Sequence, residues 1–242
     1  MRLLFKIKVA GFIIEIYNKY DFVKNQCEKY IYNGDGCDIK ASCTYEQIAE
    51  EKEFLADPQY SDGYIESVCI YRNICLQLPE NDAFVMHAAV IGVEDKAYAF
   101  TAKSGTGKST HIIQWKKLLG KRVYAVNGDK PILRFAKGKL YACGTPWCGK
   151  ENWNNNVAVE LAGICFIERG EKNIIEKIST EHAAPMIMKQ ILLPRDLVGA
   201  TKTLELADRM LKCTDLWRLR CNISLEAAEI AYNAMSGGKN EN

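Results

Sequence analysis

The sequence predicts an α/β fold: a mixed β-sheet core flanked by helices, with a P-loop in that core and a small α+β region at the N-terminus. Three observations carry the prediction. From Ala83 onward, short apolar runs of strand length alternate with amphipathic stretches. Thr101 to Thr110 reads T-A-K-S-G-T-G-K-S-T between a strand-like run, Lys96 to Phe100, and a helix-spaced segment, His111 to Leu119. Two short runs, 132–135 and 140–142, pair across Lys137 and Gly138 and put antiparallel strands beside that motif.

The whole chain frames these elements. Its 242 residues allow one large domain, or a domain with an N-terminal appendage, and the change of character divides it into 1–80 and 81–242. Apolar residues at 48% and charged residues at 26% are ordinary globular values. A net charge of +2 without a basic tract points to neither nucleic acid nor a membrane as partner. The opening M-R-L-L-F-K-I-K-V-A-G-F-I-I-E-I-Y is broken by Lys6, Lys8 and Glu15. It reads as a β-hairpin rather than an export signal or a membrane span, so a cytoplasmic location is expected. Ten cysteines include no C-x-x-C and are joined by only three histidines, which favours reduced thiols over zinc. Cys143 and Cys148 flank a candidate site loop and are the pair expected to be most open to oxidation.

In order, residues 2–9 and 12–17 are expected as strands and 20–31 as a short amphipathic helix. Thr44 to Gln47 is a capping box opening a helix to about Ala56, with Pro58 beyond it, and a second helix spans about 63–78. Residues 84–91 form an apolar run expected as one strand buried on both faces, interrupted by His87. Strands follow at 122–126, 157–167, 174–178 and 215–221. Helices are expected at 180–192, at 196–212 and from Ser224 to about Met235, with 236–242 as a frayed tail.

The chemistry of the 101–110 motif explains its residue types. Gly105 and Gly107 let backbone N–H groups turn toward phosphate oxygens. Lys108 brings a charge for the β- and γ-phosphates, and the Ser109 hydroxyl suits Mg²⁺. Ser104, Gly105, Thr106, Gly107, Lys108, Ser109 and Thr110 are therefore the expected nucleotide-binding set, although Ala102 stands where G-x-x-x-x-G-K-[ST] has its first glycine. A phosphotransferase also needs a carboxylate to hold Mg²⁺ or to accept the proton of the attacking hydroxyl. Asp129, at the end of the next strand, is the candidate for either task. His87 is expected to orient Asp129 or to lend charge to the phosphates. In the loop 144–152, Lys150 is a candidate contact to phosphate or acceptor, and Trp147 either walls the site or makes a rigid turn. Arg134, Glu168 and Arg169 are expected in surface pairs.

A histidine about twenty residues before the motif lysine, the S-G-T-G-K-S core and Asp129 together resemble the HPr kinase/phosphorylase family, related in fold to ATP-dependent phosphoenolpyruvate carboxykinases. The resemblance spans roughly 83–235, and Gly144–Trp147 and Asn127–Lys130 match smaller HPr-kinase-like proteins. It implies an ATP- and Mg²⁺-dependent kinase acting on a hydroxyl of a peptide, small protein or small metabolite. Lys108 and the loop amides would hold phosphate, Ser109 would ligate the metal, and Asp129 would serve as base or metal ligand, with His87 beside it. The chain departs from the family at Gly128, where the family has a first aspartate. The later Glu-Ile-Arg-Gly pattern is met only loosely at 167–170, and the segment tied to HPr docking has no match. HPr itself and the reverse reaction are therefore not expected. The alternative is a nucleotide-binding regulator or adaptor without phosphotransfer; a carboxykinase-like lyase would need residues that the sequence does not supply. The first 80 residues are expected to recognise the acceptor, form a homo-oligomer surface or extend the core.

Overall fold

A computed structural model describes residues 3–55, 59–103 and 105–237. The first strands are the expected hairpin: β1 (Leu3–Val9) and β2 (Phe12–Asn18) turn through Ala10 and Gly11, whose φ angles are 53° and 80°. Alternation along β2 buries Phe12, Ile14 and Ile16 on one face. An unforeseen β3 (Ile39–Ser42) pairs with β2 in parallel.

Three helices cover this sheet: α1 (Asp21–Gln26), α2 (Tyr45–Leu55) and α3 (Asp62–Cys75). The helix expected over 20–31 stops early and gives way to a 3₁₀ turn at Glu28–Tyr30. The capping box forms: the Thr44 amide donates to Gln47 Oε1 at 3.0 Å, and the Gln47 amide to Thr44 Oγ1 at 3.1 Å. Ala56 and Pro58 lie outside the described residues. Helix α3 buries Ile65, Ile70 and Ile74 completely, each such burial contributing roughly 1.5–3 kcal/mol. The apolar cluster beneath it continues into Ala83, Val85, Ile132, Cys143 and Trp147, so this region shares a core with the rest of the chain.

The second sheet has nine strands. They are β4 (Ala83–Val85), β5 (Ala89–Val93), β6 (Lys96–Thr101), β7 (Val123–Asn127), β8 (Ile132–Ala136), β9 (Lys139–Cys143), β10 (Ala158–Arg169), β11 (Ile174–Lys177) and β12 (Asp215–Cys221). Their order is β4-β8-β9-β10-β6-β5-β7, with β12 on the free half of β10 and β11 beyond it. The run 84–91 is thus two strands rather than one, β4 against β8 and β5 between β6 and β7. The break has a physical cause. The amides of Met86, His87 and Ala88 donate to loop carbonyls at Pro131, Gln190 and Asp129, not to a neighbouring strand.

Strand β5 is antiparallel to both β6 and β7, while β10 is parallel to β6 and β12 to β10. Consequently β6, β7, β10 and β12 all point one way, and Thr101, Asn127, Arg169 and Cys221 gather at one end of the sheet. Alternation along β6 feeds two cores. Ala97 and Ala99 face α5 (Thr180–Ile187) and α6 (Leu197–Cys213). Tyr98 and Phe100 face α4 (Lys108–Leu119) and α7 (Leu225–Met235), which meet around the buried Trp115. The helix expected over 180–192 ends at Ile187, because Ile191 forms a bridge with Met86.

No helix among the described residues is long and apolar enough to cross a membrane. All ten cysteines are free. Cys143 and Cys148 are buried; burial pushes the Cys143 thiol up to about 12 and raises that of Cys148. Burial thus keeps that pair from solvent, against the expectation that it is the most open to oxidation, and the exposed cysteines are Cys37 and Cys213.

Candidate active site

The glycine-rich loop leaves β6 at the end where the parallel strands gather. Thr101, fully buried, donates from Oγ1 to the His87 carbonyl at 3.1 Å and ties the loop's root to the 86–88 crossing. Gly107 caps α4 with φ at 123°, a conformation that L side chains rarely adopt, and an added Cβ would meet nothing within 4 Å. The helix start has no capping side chain and no acidic residue in its first turn, so no side chain caps its amide donors. Thr106, Lys108, Ser109 and Thr110 are all half-buried along this start, whereas Gly105 is exposed; Ser104 lies outside the described residues. Arg169 does reach the loop, donating from Nη2 to the Gly105 carbonyl at 2.6 Å.

Asn127 sets the second part of the site. Wholly buried at the end of β7, it accepts through Oδ1 from the Asp129 and Lys130 amides at 2.9 and 2.7 Å. Its Nδ2 donates to the Thr145 carbonyl at 3.1 Å and to Thr145 Oγ1 at 3.0 Å. This turn presents the Asp129 carboxylate to His87 Nε2 at 3.0 Å and to Lys130 Nζ at 3.3 Å. Burial pushes the Asp129 carboxyl up, but the His87 hydrogen bond and the Lys130 charge outweigh it and hold the group below its ordinary value. Lys108 Nζ lies 3.4 Å from both His87 Nε2 and the Ala102 carbonyl. Because Nε2 serves Asp129 as donor, the first of these is a close approach rather than a bond. Burial lowers the Lys108 pKa, while Asp129 and Glu151 oppose that shift.

The third part is the loop 144–152, and it supplies a residue that sequence reasoning missed. Glu151 Oε1 accepts from Ser109 Oγ at 2.7 Å. A Cβ built on Gly149 would stand 3.6 Å from both Asp129 Cγ and Glu151 Oε2, so the two carboxylates flank this glycine. The same loop explains Gly128: a Cβ there would lie 2.5 Å from the Cys148 carbonyl oxygen. An aspartate at 128 would press on this loop, which carries Glu151 to Ser109. Lys150 is exposed beside Glu151.

The N-terminal region holds that loop in place. Trp147 stacks on Tyr71 with centroids 4.2 Å apart and planes 12° from parallel, and its Nε1 donates to Ser67 Oγ at 2.9 Å. Gln26 donates to the Pro146 carbonyl at 3.2 Å, Tyr30 to Asn154 at 3.1 Å, and Tyr71 to the Lys130 carbonyl at 2.7 Å. Trp147 is therefore a buried turn, and it lines neither cavity against the glycine-rich loop. Arg134 lies away from the site, with its guanidinium on the Phe12 ring and the Ala10 carbonyl. His111 is a core residue: Trp115 donates to its Nε2 at 2.9 Å, and burial lowers its pKa to about 4. His182 sits at the exposed start of α5, near Ser179.

Two cavities open against the glycine-rich loop. One of about 570 Å³ lies between its Gly105–Gly107 side and the ends of β10 and β12, at Arg169 and Cys221. The other, of about 460 Å³, runs past Ala102 and Lys103 to Lys189 and Gln190, and Glu168 and Arg169 line both.

Neither a family model nor a curated protein sequence matches the chain. Among solved structures, the Hpr(Ser) kinase/phosphatase from Coxiella burnetii is similar at a TM-score of 0.37 and 10% identity, over 63% of this chain and 95% of that one.

Proposed function

We propose that the protein is an ATP- and Mg²⁺-dependent kinase that transfers the γ-phosphoryl group to a hydroxyl. The observation that carries this reading is the convergence of Lys108, Ser109, His87, Asp129 and Glu151, from four separate segments, at one uncapped helix start. The residues fit the ligands. Mg²⁺ is ordinarily held by one or two carboxylates together with the nucleotide's own oxygens, a demand that Ser109 and Glu151, bonded to each other at 2.7 Å, would meet. No group of three or more His, Cys, Asp and Glu side chains among the described residues is arranged to hold a metal alone.

Bound Mg-ATP supplies the phosphoryl group and a cation that neutralises its charge. The chain's own residues do the rest. The amides at the start of α4 and the Lys108 ammonium would bind phosphate, with Lys150 at the rim. Ser109 and Glu151 would hold the cation, leaving Asp129 to accept the acceptor's hydroxyl proton on a carboxylate oxygen. His87 and Lys130 orient Asp129 and keep it charged. This division of labour gives each carboxylate one task despite Gly128.

A nucleotide-binding regulator without transfer is the second reading, favoured by the single carboxylate in the Asn127–Lys130 turn. It predicts a rise in melting temperature with Mg-ATP, worth about 2.7 kcal/mol at a hundred times Kd, and no turnover. The deciding experiment follows γ-phosphate transfer, or slow ATP hydrolysis, in the wild type beside Lys108→Ala, Asp129→Asn and Glu151→Gln. Loss in the first two, with an Mg²⁺ requirement raised about tenfold in the third, supports the kinase; equal rates in all four would overturn it.

A further inference from the structure

A cavity of about 400 Å³ lies on the other side of His87 from the glycine-rich loop, between the N-terminal helices and residues 189–192. Its size is in the range of small-ligand sites. His87 and Lys130 line one end, next to Asp129. The stacked rings of Tyr71 and Trp147 form a wall, and Leu55, Val68, Val85 and Ile191 complete an apolar lining.

The polar atoms of that lining are largely satisfied within the protein. Tyr71 donates its hydroxyl to the Lys130 carbonyl, and Trp147 donates its Nε1 to Ser67. Arg72 and Glu51, also in the lining, pair through two bonds. What remains for a ligand is ring face and aliphatic surface, a polar end at His87 and Lys130, and the buried Gln190 Oε1, which has no partner among the described residues. Lys189 and Gln190 line both this cavity and the 460 Å³ one beside Ala102 and Lys103. The His87 amide donates to the Gln190 carbonyl at 2.6 Å and fixes this partition.

Resting on the kinase reading, we propose that this cavity is the acceptor site. Its occupant is a hydroxyl compound with an aromatic or aliphatic body, free or as the end residue of a short peptide. The body lies against Tyr71, Trp147 and Val68, and the hydroxyl reaches the His87–Asp129 end. The reaction breaks the bond from the γ-phosphorus to the leaving oxygen of ADP and forms one from the acceptor oxygen, whose proton goes to Asp129. The region 1–80 then contributes acceptor recognition through α2 and α3.

Three probes test this on the full chain: 2-phenylethanol, N-acetyl-Phe-Ser-amide and, as polar control, N-acetyl-Ser-amide. Binding is read by ligand-observed NMR without nucleotide, and phosphorylation by mass spectrometry with Mg-ATP. The first two are expected to bind, the control not. Val68→Trp, or Leu55→Trp should the first fail to fold, is expected to weaken that binding about tenfold, as when a pocket loses room for a methylene or two. The Mg-ATP-dependent rise in Tm checks that each variant is folded. Preference between the free alcohol and the peptide separates the two sources. Probe binding unchanged by the tryptophan substitutions would overturn the cavity assignment. Probe bound in the cavity but never phosphorylated, with no ATP turnover, would overturn the kinase reading and the acceptor role while leaving a ligand site.

Discussion

The loop 102–107 begins at a buried threonine and ends at a helix start with no capping side chain and no acidic residue in its own first turn. The loop 144–152, which meets it at Ser109, is gripped along its length. Asn127 binds Thr145, Gln26 binds Pro146, and Trp147 is stacked and bonded to α3. The two therefore draw order from different sources. The first leaves the amides at the start of α4 without a capping side chain, and the second is held by the N-terminal region. Substitutions in the first should act on binding and leave the fold; substitutions in the second should act on the fold and, through Glu151, on the site.

The largest effect is expected from Trp147→Ala. It removes a side chain only 6% exposed, its stack on Tyr71 and its bond to Ser67. A loss of about 3–5 kcal/mol in urea unfolding is expected. A loss below about 1 kcal/mol would mean that the clamp holds little. Next comes Lys108→Ala, expected to slow phosphoryl transfer about a hundredfold or more, while the unfolding midpoint without nucleotide stays close to wild type. The lysine's partners are two contacts at 3.4 Å, and burial already disfavours its charge. If Lys108→Ala instead unfolded the chain and Trp147→Ala did not, the contrast between the loops would be reversed.

The same contrast explains what the sequence made legible. Gly105, Gly107, Lys108 and Ser109 declare themselves because backbone freedom, charge and hydroxyl must lie consecutively along a loop and a helix start. His87 and Asp129 were found by their spacing from that loop. Glu151 was not, since its approach to Ser109 spans 42 residues and depends on a turn seated by α1 and α3. Strand β3 was missed because four residues, Ile39–Ser42, carry too little alternation to stand out after a glycine-rich break. The single strand read at 84–91 failed for another reason. Apolar content reports burial, and both β4 and β5 are buried, but nothing in composition marks the residues where the chain leaves one edge for another.

Gly128→Ala probes the boundary between the two loops. Its Cβ would press on the Cys148 carbonyl at 2.5 Å, a backbone atom that cannot rotate away. A cost of about 1–3 kcal/mol is expected, as for overpacking elsewhere, together with slower transfer because Asp129 is next in the turn. Gly128→Asp should be no better, even though it adds a carboxylate. Faster transfer in Gly128→Asp would show that the loop can move aside and that Glu151 does not stand in for that residue.

The smallest expected effect concerns Asp129 and pH. Its carboxyl is held below the ordinary value in the folded chain, because the His87 bond and the Lys130 charge outweigh burial. A group with a depressed folded pKa contributes stability above its unfolded pKa, about 3.9 for aspartate, and loses it as pH falls through the lower folded value. Asp129→Asn lacks this contribution at every pH. The difference in Tm between wild type and Asp129→Asn should therefore be greatest near neutrality and shrink as pH drops below about 4. It should be modest, since 24% of the side chain stays exposed and solvent screens the pair. A difference constant from pH 7 to pH 3 would place the stabilising role of Asp129 in its backbone turn on Asn127 rather than in its charge.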